Sequence, residues 1–176
     1  MTYYVGLDLA KRSDYSALVI LDAHTRQIRS ALRLPHADFT DQIGSIMPML
    51  RQAKAVAVDR GGVGDAVIEL LPRFLRIIPV LITGGGSVVE RKGQVSVGKR
   101  PLIELLIKSG VSVAEDAIGR EDLKAEMQAF ALKAGASGRF KMEARSGSHD
   151  DLVIAAGLAV LAASLDARKD TLQWRK

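Results

Sequence analysis

The chain has no cysteine among its 176 residues, which excludes a disulfide framework, a thiol nucleophile and a thiolate-held metal. Any metal chemistry must therefore use oxygen and nitrogen donors. No apolar run reaches the ~18 residues of a membrane span, and the N-terminus lacks the basic-then-apolar pattern of a secretory leader. The expectation is a soluble, cytoplasmic protein with no membrane partner. No Gly-x-x-x-x-Gly-Lys-Ser/Thr sequence occurs, so a P-loop motor is excluded. Internal repeats, low-complexity tracts and dividing linkers are absent as well. What remains is 48% hydrophobic with a formal charge of +5, enough for one domain with a substantial core over 1–176 and a lean towards an acidic partner such as nucleic acid.

The run Tyr3-Tyr4-Val5-Gly6-Leu7-Asp8 reads as a strand apolar on both faces with one carboxylate at its far end. An Asp at a strand end is ordinarily a turn cap. Yet a carboxylate on a central strand costs several kcal/mol, roughly, unless donors or a cation meet it. Strands at Tyr15–Leu21 and Arg26–Leu34 follow after short turns, predicting an antiparallel meander. Asp38–Gln52 has helical spacing, with Pro48 expected to bend it. Lys54–Asp59 is then a further strand ending in an acid, Gly61–Gly64 a tight turn, Asp65–Phe74 a helix, and Ile77–Ile82 a fifth strand whose Pro79 suits an edge. Strand, helix, strand implies a parallel crossover.

After Gly84–Gly86, two short arms around Arg91-Lys92-Gly93 predict a β-hairpin with a basic tip, inserted at about 84–98. Helices are expected at Lys99–Ser109, Arg120–Lys133 and Ser148 to about Ala167, with a short strand at Gly138–Glu143 and a solvated tail at about 168–176. Three acidic points stand out: Asp8 and Asp59 at strand ends, and Asp150-Asp151 in the first turn of the last helix. If the first and fourth strands are parallel neighbours, all of them reach one rim. Clustered carboxylates repel one another unless divalent cations neutralise them, and oxygen ligands suit magnesium or manganese. Two such ions can activate a water and stabilise the leaving oxygen in phosphodiester hydrolysis.

The motifs Val5-Gly6-Leu7-Asp8, Val56-Ala57-Val58-Asp59 and His149-Asp150-Asp151-Leu152, in this order, resemble the nuclease domain of phage terminase large subunits, within the ribonuclease H-like superfamily. The resemblance extends to Val97-Gly98-Lys99-Arg100, where a lysine leads into a helix after the hairpin. It implies an α/β ribonuclease H-like fold with a five-stranded mixed sheet and helices on both faces. The implied activity is a two-metal endonuclease acting on double-stranded DNA during genome packaging. On this resemblance Asp8 bridges two Mg2+ or Mn2+ ions, Asp59 holds one, and Asp151 holds the other with Asp150 close by; His149 orients a phosphate or a metal-bound water. Helical periodicity alone does not choose between Asp150 and Asp151. Arg91, Lys92, Lys99 and Arg100 are the candidate contacts to DNA phosphates.

Without a motor motif the chain is expected to be either an excised nuclease domain or a separately encoded relative working with a separate packaging ATPase, and a phage-encoded chain would work in the host cytoplasm. A Holliday-junction resolvase-like nuclease is the alternative within the enzyme class. Outside it stand a nucleotide-binding domain of the actin type, for which one lobe is too little, and an inactive DNA-binding scaffold of the same fold. His24, His36 and Trp174 carry no assigned function.

Overall fold

Burial on both faces is what makes Tyr3–Asp8 a central strand, and the sheet is built outwards from it. The computed structural model describes residues 1–10, 15–61, 65–91, 94–135 and 149–173. In chain order these form β1 (Tyr3–Asp8), β2 (Ser16–Asp22), β3 (Gln27–Leu34), α1 (Phe39–Leu50), β4 (Ala53–Asp59), α2 (Asp65–Leu70), β5 (Ile77–Thr83), β6 (Val88–Arg91), β7 (Gln94–Gly98), α3 (Lys99–Lys108), β8 (Ser112–Ile118), α4 (Arg120–Gly135) and α5 (Asp151–Gln173). One sheet runs β6-β7-β5-β4-β1-β2-β3-β8.

The meander β1-β2-β3 is antiparallel, and β4 and β5 lie parallel to β1 on its other side, as the sequence predicts. The sheet has eight strands, not five. The hairpin arms β6 and β7 join the same sheet: β7 pairs in parallel with β5 and carries β6 on its outer side. The eighth strand, β8, pairs in parallel with β3. Pro79 is also not on an edge strand, since β5 is bonded on both sides. The carbonyls of Arg76 and Val80 accept from β4, so by alternation Pro79 faces β7, whose ladder begins only at Val80. Its missing N–H therefore falls just outside the pairing. The helix α2 stops at Leu70, ahead of Pro72. The expected strand at Gly138–Glu143, most of the Gly61–Gly64 turn and Trp174 lie outside the described residues.

Alternation along β1 and β4 sorts their side chains onto two cores. Val5, Leu7, Val56 and Val58 pack beneath Ile43, Ile46 and Leu50 of α1, which the helical spacing identified. Tyr4, Ala55 and Ala57 face the other way, with Ala17 and Val19, towards Leu152, Ala155, Ala156 and Ala159 of α5. Small residues thus meet small residues, and α5 lies very close to the sheet. At Gly6 the approach is closest: a Cβ there would collide with the Ala155 carbonyl oxygen and stand 2.6 Å from the Ala159 nitrogen. The helix runs antiparallel to β1, because the Tyr4 hydroxyl near the start of the strand donates to Asp166 Oδ2 at 2.6 Å, far down the helix. Asp8 shares the parity of Tyr4 and Gly6, and Asp59 that of Ala55 and Ala57. Both acids are thereby directed to the face where α5 begins.

Replacing Gly6 with alanine should destabilise the fold by at least about 2 kcal/mol, because the backbone of α5 has to move. Urea unfolding of Gly6→Ala checks this; stability close to that of the parent would mean that α5 does not pack against β1 as described.

Candidate functional site

The C-terminal ends of β1 and β4 are adjacent and in register, with Leu7 opposite Val58, so Asp8 and Asp59 follow side by side. Asp59 is half-buried, and its Oδ1 accepts the Gly61 N–H at 2.9 Å in a short turn. Burial raises its pKa, and backbone bonds from Gly61 and Ile82 partly offset that rise. Asp8 is held well above the usual carboxylate range. Loss of water is the largest cause, followed by the negative charges of Asp59, Asp151 and Asp150, with Lys99 alone pulling the other way.

The first turn of α5 supplies the other two acids. Asp150 precedes the helix, and its carbonyl accepts the Ile154 N–H at 3.0 Å, the first helical bond. Its carboxylate is ion-paired with Lys99, the first residue of α3. Asp151 opens α5 and is 9% exposed. Its negative charge, like that of Asp150, raises the pKa of Asp8. His149 is exposed, with Nδ1 3.7 Å from Asp151 Oδ2 and its ring edge-on to Tyr15 at 5.2 Å between centroids.

Of the predicted basic residues, Lys99 and Arg100 have described side-chain contacts. Lys99 belongs to the acidic rim through Asp150, and Arg100 is paired with Glu104 one turn along α3, Nε to Oε1 2.8 Å. Arg91 ends β6, and Lys92 lies outside the described residues. Four neighbours of the rim escaped the sequence reading. Tyr15 stacks at 4.8 Å on His36 as well as meeting His149. Arg33 lies 5.8 Å from the centre of the Tyr15 ring. It also pairs with Glu126 of α4, whose other oxygen accepts the backbone N–H groups of Leu152 and Val153 at 3.0 and 3.3 Å. Only Glu126 left a trace in the sequence: it shares the helical stripe of Leu123 and Met127, where an acid is out of place.

Asp8, Asp59, Asp150 and Asp151 could hold a divalent cation of the oxygen-seeking kind, and the displaced pKa of Asp8 fits them to that role. Among the described residues no three side chains are drawn around one point at liganding distance. Carboxylates that repel one another stand apart, and Asp150 turns to the Lys99 ammonium instead.

No family model matches the chain. It is 29% identical over 160 residues to the terminase large subunits of Thermus phage G20c and Thermus virus P23-45, a stretch that is 89% of this chain and 31% of each relative. The chain thus spans about a third of the length of the curated relatives it matches. Its structure is similar to the large terminase nuclease of phage G20c crystallised with bound magnesium. The TM-score is 0.65 with 26% identity, covering 91% of this chain and 80% of that one. The same nuclease with bound cobalt gives 0.63. The human cytomegalovirus terminase nuclease domain, 15% identical at a TM-score of 0.53 over 92% of this chain and 82% of its own, shares the fold. The fold is ribonuclease H-like, as the motif order predicts.

The raised pKa of Asp8 has a consequence for stability. Its folded form holds a proton more tightly than the unfolded chain does, so its contribution is complete below the unfolded pKa and is lost as pH rises through the folded value. In metal-free buffer, Asp8→Asn should therefore melt higher than the parent at neutral pH, and the gap should close in acid. Thermal melts of both proteins across pH measure it; a variant that melts lower at neutral pH would show that Asp8 carries no electrostatic strain.

Proposed function

We propose that this chain is a metal-dependent endonuclease of the terminase type, cutting double-stranded DNA at the rim formed by Asp8, Asp59, Asp150 and Asp151. The observation that carries the reading is that Asp8 and Asp59 end adjacent parallel strands, on the face of the sheet where α5 opens with Asp150 and Asp151. The likeness to a terminase nuclease that binds magnesium supports it. In this reading Asp8, Asp59 and Asp151, with Asp150 close by, would hold two Mg2+ or Mn2+ ions. When bound, such ions lower the pKa of a water and stabilise charge on the leaving oxygen of a phosphodiester.

The chain's own groups do the rest. Asp59, fixed by the Gly61 N–H, presents a second carboxylate in line with Asp8. Asp151 is kept from water in the first turn of α5, where the positive end of the helix dipole favours negative charge. Lys99 neutralises Asp150 and lowers the repulsion on Asp8. His149, on the solvent side of Asp151, is placed to donate to a phosphate oxygen or to take the leaving proton. In this reading double-stranded DNA is the substrate.

Nicking of supercoiled plasmid in Mn2+ or Mg2+ tests the reading, and loss of metal-dependent cleavage in Asp8→Ala is the expected result. Cleavage that persists in chelator, or none in either metal, would reject it. The two helical acids separate in the same assay. Asp151→Asn should abolish cleavage with DNA affinity retained, whereas Asp150→Asn should lose about 10 to 100-fold and recover partly at higher Mn2+. A dead Asp150 variant beside an active Asp151 variant reverses the assignment.

The hairpin is proposed as a phosphate contact. Charge reversal of Arg91 and Lys92 should weaken DNA binding alike over many sequences and flatten its salt dependence. Binding measured against salt that is unchanged by both reversals places the DNA elsewhere.

A further inference from the structure

We propose that Glu126 is the positioning residue of the acidic rim: a buried carboxylate on α4 that caps α5 in place of Asp150 and so leaves the Asp150 and Asp151 carboxylates to the site. The inference rests on the nuclease reading for what the rim does, and on contacts within the chain for everything else.

A helix begins with N–H groups that have no acceptor inside the helix. The residue before the first turn normally supplies one, and aspartate is among the best residues for the purpose because its carboxylate reaches the second and third amides. In α5 that residue is Asp150, yet its carboxylate is turned to Lys99. The amides it would cap, Leu152 and Val153, donate to Glu126 Oε2 at 3.0 and 3.3 Å. The duty of the local acid has passed to an acid 24 residues upstream, on another helix.

Glu126 is itself held firmly. It is 5% exposed, on the buried stripe of α4, and its second oxygen is paired with Arg33 of β3. Arg33 also stands 3.9 Å from Asp122 and lies against Tyr15, whose ring meets His149. The start of α5 is therefore fixed at two points: its amides by Glu126, and His149 by the aromatic contact. Both oxygens of Glu126 are engaged, one by the guanidinium and the other by two backbone N–H groups. Its action on the rim runs through the direction in which Asp150 and Asp151 leave the helix.

The test reads the contact and its consequence separately. Hydrogen exchange of the Leu152 and Val153 amides is followed by NMR in metal-free protein, and Mn2+ affinity is measured by calorimetry at a temperature where each variant is folded. Glu126→Ala should speed exchange at these two amides at least tenfold and weaken Mn2+ binding by about 10 to 100-fold. Glu126→Gln, which keeps an acceptor oxygen, should restore slow exchange and most of the affinity. Should Glu126→Ala not fold, Glu126→Asp, one methylene too short to reach both amides, replaces it with the same expectation. Faster exchange or a lower melting temperature with unchanged Mn2+ affinity would reduce Glu126 to a structural residue and overturn the inference alone. A parent protein that binds no Mn2+ would overturn it together with the nuclease reading.

Discussion

Everything at the acidic rim depends on how closely α5 can lie on β1. Gly6 admits the backbone of Ala155 and Ala159 where a side chain would keep it out, and the alanines of β2 and β4 continue that smooth surface on either side. Dense packing of this kind leaves little slack, so a shift of the helix by a fraction of an ångström is felt along its whole length. Since the helix runs antiparallel to the strand, its closest point of contact lies only two residues from Asp8. The packing that stabilises the core and the placing of the acids are one and the same arrangement.

The two ends of this strand–helix pair handle buried charge in opposite ways. At the far end Asp166 is 2% exposed but is met by Lys54 at 2.6 Å, by Arg76 and by the Tyr4 hydroxyl. Burial alone would raise its pKa, yet these three partners outweigh burial and bring it down, while the Tyr4 hydroxyl is pushed up to about 12, first by burial and then by Asp166. At the near end Asp8 has three acids and one lysine for company, and its pKa goes up. The chain can evidently neutralise a buried aspartate with its own cations, as it does at Asp166. At Asp8 the described cation, Lys99, is outweighed by burial and by the three acids.

The sequence disclosed the parts that depend on strong local signals. Runs of branched and apolar residues marked β1, β2 and β4, and an acid closing two of them was conspicuous against that background. The order of three acid motifs carried the fold family. Elements shaped by distant neighbours were harder to read. β8, with Ser112, Glu115 and Asp116 facing water, buries only Ala114 and has no apolar pattern to announce it. Pro79 looked like an edge residue because the sequence does not say where the ladder of β7 starts. Lys99 was read as a contact to DNA, and its partner Asp150 lies 51 residues away. Glu126 was passed over altogether because a cap supplied by another helix has no spacing rule.

The parallel pairing of β1 with β4 and the docking of α5 on both join the first strand of the chain to its last helix. A ribosome that has released the first three strands and β4 has delivered two of the acids, but α5 emerges only after more than ninety further residues. On such a topology the rim cannot close before synthesis of the helix is complete, and long-range contacts of this kind form late in folding. Timing is thereby built into the chain: nascent and truncated products carry Asp8 and Asp59 without Asp150 and Asp151.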